Sequence, residues 1–432
     1  MSHLRNAFVV AVVAAAAIVG SNLGAQTKPA APVYQAELMW PKPLPNHWLV
    51  GSITGVAVDA QDHIWVAHRP DSLALNNEAG LAANPPGAEY CCQPAPPILE
   101  FDAAGNLLAS WGGPGTGYDW PVSTGGIAID DKGNLWIAAA GPPEPAVAGR
   151  NATGGGGGGA PRGAGAAGGG AAGTAGGAAG GAAGGGRAGG GGGRAAAPAR
   201  PADAQVLKFS PSGQFILQIG HAGQTGAADS TTELDRPAAI AIDSAANELF
   251  VADGGTHQRI VVFDATTGAF KRQWKADWKM VSRTATLASQ NLVKYPVMDF
   301  ARLSSIVVSK DGHVYVGDRR NNAIQVFDRS GAYQDQFIIS RQTTGNGSVW
   351  GIGLSSDYAQ QRLFVADGQD EKVWVLDRFA TREDQQVITT FGDGGRQPGQ
   401  FYAVNNVAMD SKGVVYTGEG YEGKRLQKWV RK

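Results

Sequence analysis

The sequence predicts an all-β fold, a six-bladed β-propeller of four-stranded antiparallel blades, and three features carry that prediction. Residues 239–274, AIAIDSAANELFVADGGTHQRIVVFDATTGAFKRQW, hold four short runs rich in Val, Ile, Phe and Trp, divided by Gly, Asn, Asp, Ser and Thr. Runs of that composition between turn formers read as strands of a meander. The first two runs recur six times along the chain at nearly constant spacing, as in an array of repeats. Finally, RIVVFD alternates incompletely between apolar and polar residues, which suits a strand buried on both faces in a small sheet packed between two others.

In chain order, the first strand of each unit is GVAVD (55–59), GIAID (126–130), AIAID (239–243), SIVVS (305–309), GIGLS (351–355) and NVAMD (406–410). The second follows a short polar turn as HIWVAH, NLWIAA, ELFVAD, HVYVGD, RLFVAD and VVYTGE. The third recurs as ILEFD, VLKF, RIVVFD, IQVFD, VWVLD and LQKW, and Gly105, Gly213, Gly268 and Gly331 occupy the turns that follow four of them. A positive φ there is cheap only for glycine. The sixth unit ends at its third strand, and residues 33–40, VYQAELMW, resemble the fourth strand AYQDQF at 332–337. Pairing of this amino-terminal strand into the last blade would close the ring and cover an open edge.

Two inserts interrupt the scheme, both between second and third strands. Residues 70–97 carry many prolines and Cys91-Cys92, which leaves open a vicinal disulfide, two thiols or an intermolecular link. Residues 141–203 form a Gly/Ala-rich insert in the second blade, with Arg150, Arg162, Arg187, Arg194 and Arg200 among almost no side chains to bury, and are expected to be disordered. Its Asn151-Ala152-Thr153 triplet matches a glycosylation sequon, a frequent chance pattern. The amino-terminal stretch holds Arg5, an uncharged run over 7–20 and the small-residue end Leu23-Gly24-Ala25. That layout predicts a signal peptide over 1–25, a linker over 26–32 and the propeller over 33–432. The run is shorter than the roughly 20 residues that span a bilayer, so a secreted or periplasmic protein without a membrane span is expected.

The formal net charge of -1 argues against nonspecific binding to nucleic acid. With only two cysteines, adjacent to each other, stability must come from a large apolar core. No nucleophile elbow, phosphate-binding glycine loop or paired-histidine helix is present.

Antiparallel order puts the connections between blades and the loops from second to third strand on one face, where propeller sites gather around the channel. That face is expected to carry His47, His68, Arg69, His221, His257, Arg259, Arg319, Arg320, Trp350 and Tyr421, whereas His63 and His313 belong to turns on the other. Asp253, Asp318, Asp367 and Glu419 share one position at the end of the second strand. A metal-binding ring is one reading, and a structural turn or inter-blade hydrogen bond is the favoured one. The histidines lie on different loops and lack the spacing of a metal motif, so no cofactor is assigned from the residues themselves.

The blades resemble NHL repeats, a six-bladed propeller family, outside the Gly/Ala tract. Within it, the pair His68-Arg69, the stretch ILEFDAAGNLL at 98–108 and the strands NNAIQVFD and GKRLQKW are most similar to the peptidyl-α-hydroxyglycine α-amidating lyases. The resemblance implies a catalytic role for Arg69. It also implies a zinc ion held by three histidines just before particular first strands, but those places are Gly125, Ser304 and Asn405. The family's tyrosine falls at Gly255, its methionine at about Ala403 and its calcium-associated aspartate at Asn406. Glycine, serine and asparagine do not replace imidazole on zinc. The expectation is therefore a secreted, non-catalytic propeller that binds a small anionic ligand, peptide or protein, Arg69 either gripping an anion or bridging blades. The alternative is a lyase-like carbon-nitrogen lyase whose metal site is degenerate or relocated to His47, His68, His221 or His257.

Overall fold

The computed structural model describes residues 31–141, 203–276, 299–381 and 386–432. Six four-stranded antiparallel sheets follow one another along the chain. The third blade, which holds residues 239–274, consists of Pro237–Asp243, Glu248–Asp253, Arg259–Asp264 and Phe270–Trp274. Its third strand is buried on both faces over its first five residues. The first blade is Ser52–Val58, Ile64–Arg69, Ile98–Phe101 and Leu107–Trp111.

The sixth blade combines Val404–Met409, Val415–Glu419 and Arg425–Arg431 with the amino-terminal strand Tyr34–Ala36. Tyr34 pairs with Arg431 and Ala36 with Trp429, so the ring closes as expected. The closing strand is shorter than residues 33–40, because the chain turns inward after Glu37 to bury Trp40. That indole lies 5.1 Å from Tyr416 of the sixth blade and 6.2 Å from Phe101 of the first, across the seam.

The first strand of each blade explains how the blades fit together. Val56, Ile127, Ile240, Ile306, Ile352 and Val407 are buried, and each joins a cluster with side chains of the preceding blade. Residues between them are small where the next blade presses in; a Cβ on Gly55 would lie 2.8 Å from Ile127 Cγ1. Large residues on one face of a strand and small ones on the other thus interdigitate sheet against sheet. The core is this set of inter-blade seams.

Turns on the far face repeat one device. Asp59 Oδ1 accepts from the main-chain N–H of Gln61 and His63, and Oδ2 from Trp65 Nε1. Asp130 does the same for Lys132, Asn134 and Trp136, and Asp410 for Lys412, Val414 and the Tyr416 hydroxyl. An aspartate closing the turn and an aromatic six residues later form one structural unit. The glycines at 105, 213, 268 and 331 have φ between 75 and 91, as their turn position requires.

The expected leader, the Asn151 sequon and the five insert arginines lie outside the described residues, as do all but the last two positions of the linker. The ends of the insert are held together. Ala140 N–H donates to Ser123 O at 2.8 Å, and the Asp203 carboxylate accepts from Val122 and Ser123 N–H at 3.0 and 2.7 Å.

Candidate functional site

In five blades the pairing register slips near the start of the first strand, between Ile53 and Gly55, Thr124 and Ile127, Pro237 and Ala239, Leu303 and Ser305, and Val404 and Asn406. A bulge re-aims the unpaired residue, and here Thr54, Gly125, Ala238, Ser304 and Asn405 line the central cavity. Their polar groups stitch blade to blade. Thr54 and Thr124 hydroxyls share a hydrogen bond of 2.7 Å, Ser304 Oγ donates to Val349 O at 2.7 Å, and Asn405 Nδ2 donates to Ile53 O at 2.9 Å.

The three positions that the lyase resemblance assigns to zinc are therefore on the channel wall, but they do not fit the ion. Gly125 has no donor, Ser304 spends its hydroxyl proton on a carbonyl, and Asn405 bonds to the first blade. Asn406, at the calcium-associated position, donates through Nδ2 to Asn405 Oδ1. Gly255 leaves no room for the family's tyrosine, since a Cβ there would lie 2.2 Å from Asp235 Cγ. Ala403, at the methionine position, donates its N–H to Glu371. Among the described residues one trio, Asp59, His63 and Glu100, brings three metal-type donors together, on the far face. Its donors are already engaged: Asp59 closes the turn, and His63 Nδ1 lies 2.7 Å from Glu100 Oε1.

The carboxylates at the end of the second strands turn into the blades. Asp253 accepts from Asp235 N–H at 2.6 Å and Arg259 Nε at 2.9 Å. Asp318 accepts from Arg302 N–H at 3.0 Å, and Glu419 from Tyr402 N–H at 2.9 Å and from Arg425 and Gln427. Asp367 accepts from Gln369 and Asp370 N–H and from Trp374 Nε1, and burial pushes its pKa up to about 6. Burial likewise raises Asp318 and Glu419. Asp253, Asp318 and Glu419 hold the connections between blades, and Asp367 closes the turn within its own blade; both are the structural roles favoured from the sequence.

Two blades fill that position differently. In the first, His68 pairs with Ile53 in the register that Asp253 has with Pro237. Its Nδ1 accepts from Gly51 N–H at 3.0 Å, which leaves Nε2–H to donate to Pro96 O at 2.9 Å. Burial lowers its pKa to about 4, so the ring is neutral and pins the first insert. In the second blade the place is Ala139, and Asp203, two residues before the third strand Gln205–Phe209, supplies the carboxylate instead.

The cavity has a volume of about 1180 Å³ and runs from the loop face down the channel. At its mouth stand Arg69, Arg236, Arg302, Arg319, Trp350 and Tyr421. Arg69 Nε lies 3.6 Å from Asp71 and Arg236 Nε 3.5 Å from Asp235, both longer than hydrogen bonds, and Arg302 is exposed. Arg319 donates through Nε to Asn346 O at 2.7 Å and stacks on Trp350 with its guanidinium carbon 3.3 Å from the ring centroid. Tyr421 meets Trp350 edge-on at 5.8 Å. The acids lining the cavity are Asp71, beside Arg69, and Glu422, 3.2 Å from Lys424. Cations thus outnumber anions at the mouth.

Of the ten residues placed on this face from the sequence, Arg69, Arg319, Trp350 and Tyr421 line the cavity and six do not. His47 lies in a loop where its carbonyl accepts from Gln93 N–H. His68 is buried as described, and His257 is buried 3.4 Å from Asp253. His221 is exposed, 3.3 Å from Glu233, and Arg320 is exposed. Arg259 is buried, with its guanidinium on the carbonyls of Ala228, Ser230 and Glu233. Arg236 and Arg302 escaped the sequence reading. Both sit one residue before a first strand, in connections that open on this face, and that placement was the available signal. Cys91 and Cys92 form a vicinal disulfide in the first insert.

Residues 300–327, which span most of the first three strands of the fourth blade, match the family model of the NHL repeat. No curated protein matches the chain in sequence. In structure it resembles a protein of unknown function from Bacteroides thetaiotaomicron, at 12% identity and a TM-score of 0.50, over 93% of this chain and 76% of that one. It also resembles virginiamycin B lyase from Staphylococcus aureus, at 11% identity and a TM-score of 0.43, over 88% of this chain and 97% of that one. For a gluconolactonase from Xanthomonas campestris the values are 16% and 0.41, over 75% of this chain and 71% of that one. Such distant likeness speaks to fold and not to chemistry. The chain is a six-bladed β-propeller whose fourth blade carries an NHL repeat.

Proposed function

We propose that this propeller binds a small anionic ligand at the mouth of its central channel, after export directed by the leader expected over residues 1–25. The observation that carries the reading is the convergence of Arg69, Arg236, Arg302 and Arg319 from three blades on one concave mouth with two acids. Guanidinium groups grip carboxylate or phosphate through paired N–H donors, and in a concave site they are less screened than on an open surface. A free acid and the end of a peptide present the same carboxylate chemistry to such a site. The lyase reading is not carried further, because the channel positions that the resemblance assigns to zinc are Gly125, Ser304 and Asn405.

Calorimetric titration with acetate, succinate and inorganic phosphate at low ionic strength tests the proposal. At least one anion should bind, more weakly as salt is raised, and Arg69→Ala or Arg236→Ala should each weaken it by about tenfold, as expected for loss of a charge-assisted hydrogen bond. Absence of binding by all three anions, or binding indifferent to both substitutions, would sink it.

A further inference from the structure

Below the arginines the channel changes character. Reading inward along the first strand of the third blade, alternate residues are Arg236, Ala238, Ile240 and Ile242, and all line the cavity. In the fourth blade they are Arg302, Ser304, Ile306 and Val308, and again all line it. Cation, small residue, aliphatic, aliphatic is the order from mouth to depth. At about 3.3 Å per residue, successive tiers are about 7 Å apart.

All six blades contribute to both lower tiers. The upper one is Val56 and its five counterparts, already described as buried in the seams. The deeper one is Val58, Ile129, Ile242, Val308, Leu354 and Met409, each only partly buried and each lining the cavity. No charged side chain belongs to either tier. Partly exposed aliphatic side chains, packed on one side against the seams and open on the other to a concave wall under a cationic rim, make a site with one polar end and one apolar end.

We infer that the ligand is an amphipathic anion, a carboxylate with an unbranched aliphatic tail, its head on the arginines of the mouth and its tail along the aliphatic tiers of the channel. The inference rests on the anion-binding reading above and adds the tail. A tail that leaves water for this wall gains affinity with each methylene buried, and the uncharged tiers offer nothing to a second charge at the far end.

Titration of the full chain with butyrate, tetradecanoate and tetradecylamine, below their aggregation concentrations, tests it, with Arg302→Ala and the double variant Val308→Thr, Met409→Gln alongside. The deeper tier lies three steps, about 20 Å, below Arg302, a span that a fourteen-carbon chain and the arginine side chain cover together. Tetradecanoate should bind at least about tenfold tighter than butyrate, which is less than the gain from full burial of the extra methylenes. Tetradecylamine should not compete. Arg302→Ala should weaken both acids, whereas the double variant, conservative in strand-forming tendency at Val308, should weaken tetradecanoate by about fivefold and leave butyrate unchanged. Equal affinity for the two acids, both lost in Arg302→Ala, would overturn the tail and leave the anion site standing. So would tighter tetradecanoate binding that ignores the double variant. Binding of tetradecanoate that survives Arg302→Ala, competition by tetradecylamine, or no binding by either acid would overturn both readings.

Discussion

His68 shows how far one residue's role depends on where its nitrogens point. It accepts from Gly51 and donates to Pro96, which ties the first strand of the ring to the end of the first insert. The site does not tolerate a proton on Nδ1, and burial lowers the pKa from 6.5 to about 4. In the unfolded chain the ring takes a proton below about 6.5, so its contribution is whole above that pH and is lost as pH falls to about 4. The full loss is about 3 kcal/mol. Asp367 has the opposite sign: its folded pKa of about 6 makes stability fall as pH rises from about 4 to 6. The two offset each other, so the informative quantity is the difference between parent and variant. His68→Asn keeps an acceptor for Gly51 but does not titrate. Denaturant unfolding from pH 7 to pH 4 should show the parent losing stability relative to this variant; parallel curves would mean that His68 is not buried neutral.

At the scale of elements, the closing strand is the most exposed dependency of the fold. Three residues, Tyr34–Ala36, complete the sixth blade, and the Tyr34 ring lies 4.7 Å from Phe391, tilted by 32°, and meets Phe364 edge-on at 6.0 Å. Its ring therefore packs against the fifth blade while its backbone belongs to the sixth, which makes it a clasp across a seam. Tyr34→Ala should cost about 3 kcal/mol, the usual loss for a buried aromatic, and lower the thermal midpoint. Thermal unfolding followed by circular dichroism reads this directly, and an unchanged midpoint would show that the ring closes without the clasp. The bulges belong to this scale too. They lift Thr54, Gly125, Ala238, Ser304 and Asn405 onto the channel wall, and the chemistry of the mouth follows from what stands at those places and just before them.

For the molecule as a whole, the second blade poses the question of what its insert does for the fold. Both ends of that segment meet at Ser123, through Ala140 and Asp203. A short connection could therefore join them without moving a strand, and loop closure depends only weakly on length. Deletion of residues 154–193 should leave the thermal midpoint within about 3 °C of the parent and anion binding intact. A collapse of either on calorimetry would assign the insert a part in the core or the site.

Much of this was legible in the sequence, for a physical reason. Strand composition, turn glycines and the spacing between first and second strands are local, and a propeller repeats one local unit, so blade number, strand order and ring closure followed from the chain itself. The length of the closing strand did not, because Trp40 leaves the sheet for a pocket formed by Tyr416 and Phe101, which are far from it in sequence. Arg69, Arg319, Trp350 and Tyr421 line the channel cavity, since their position relative to a strand end determines their face. His257 and Arg259 were assigned to the same face and turned inward instead, since Asp253 competes for both. The place of Arg236 and Arg302 on the wall of one cavity, the Asp203 carboxylate standing in for a missing second-strand acid, and the apolar tiers under a cationic rim are products of closure. Only when six strands face one axis do residues two apart in sequence become rings, and only the folded ring decides which of them share a cavity.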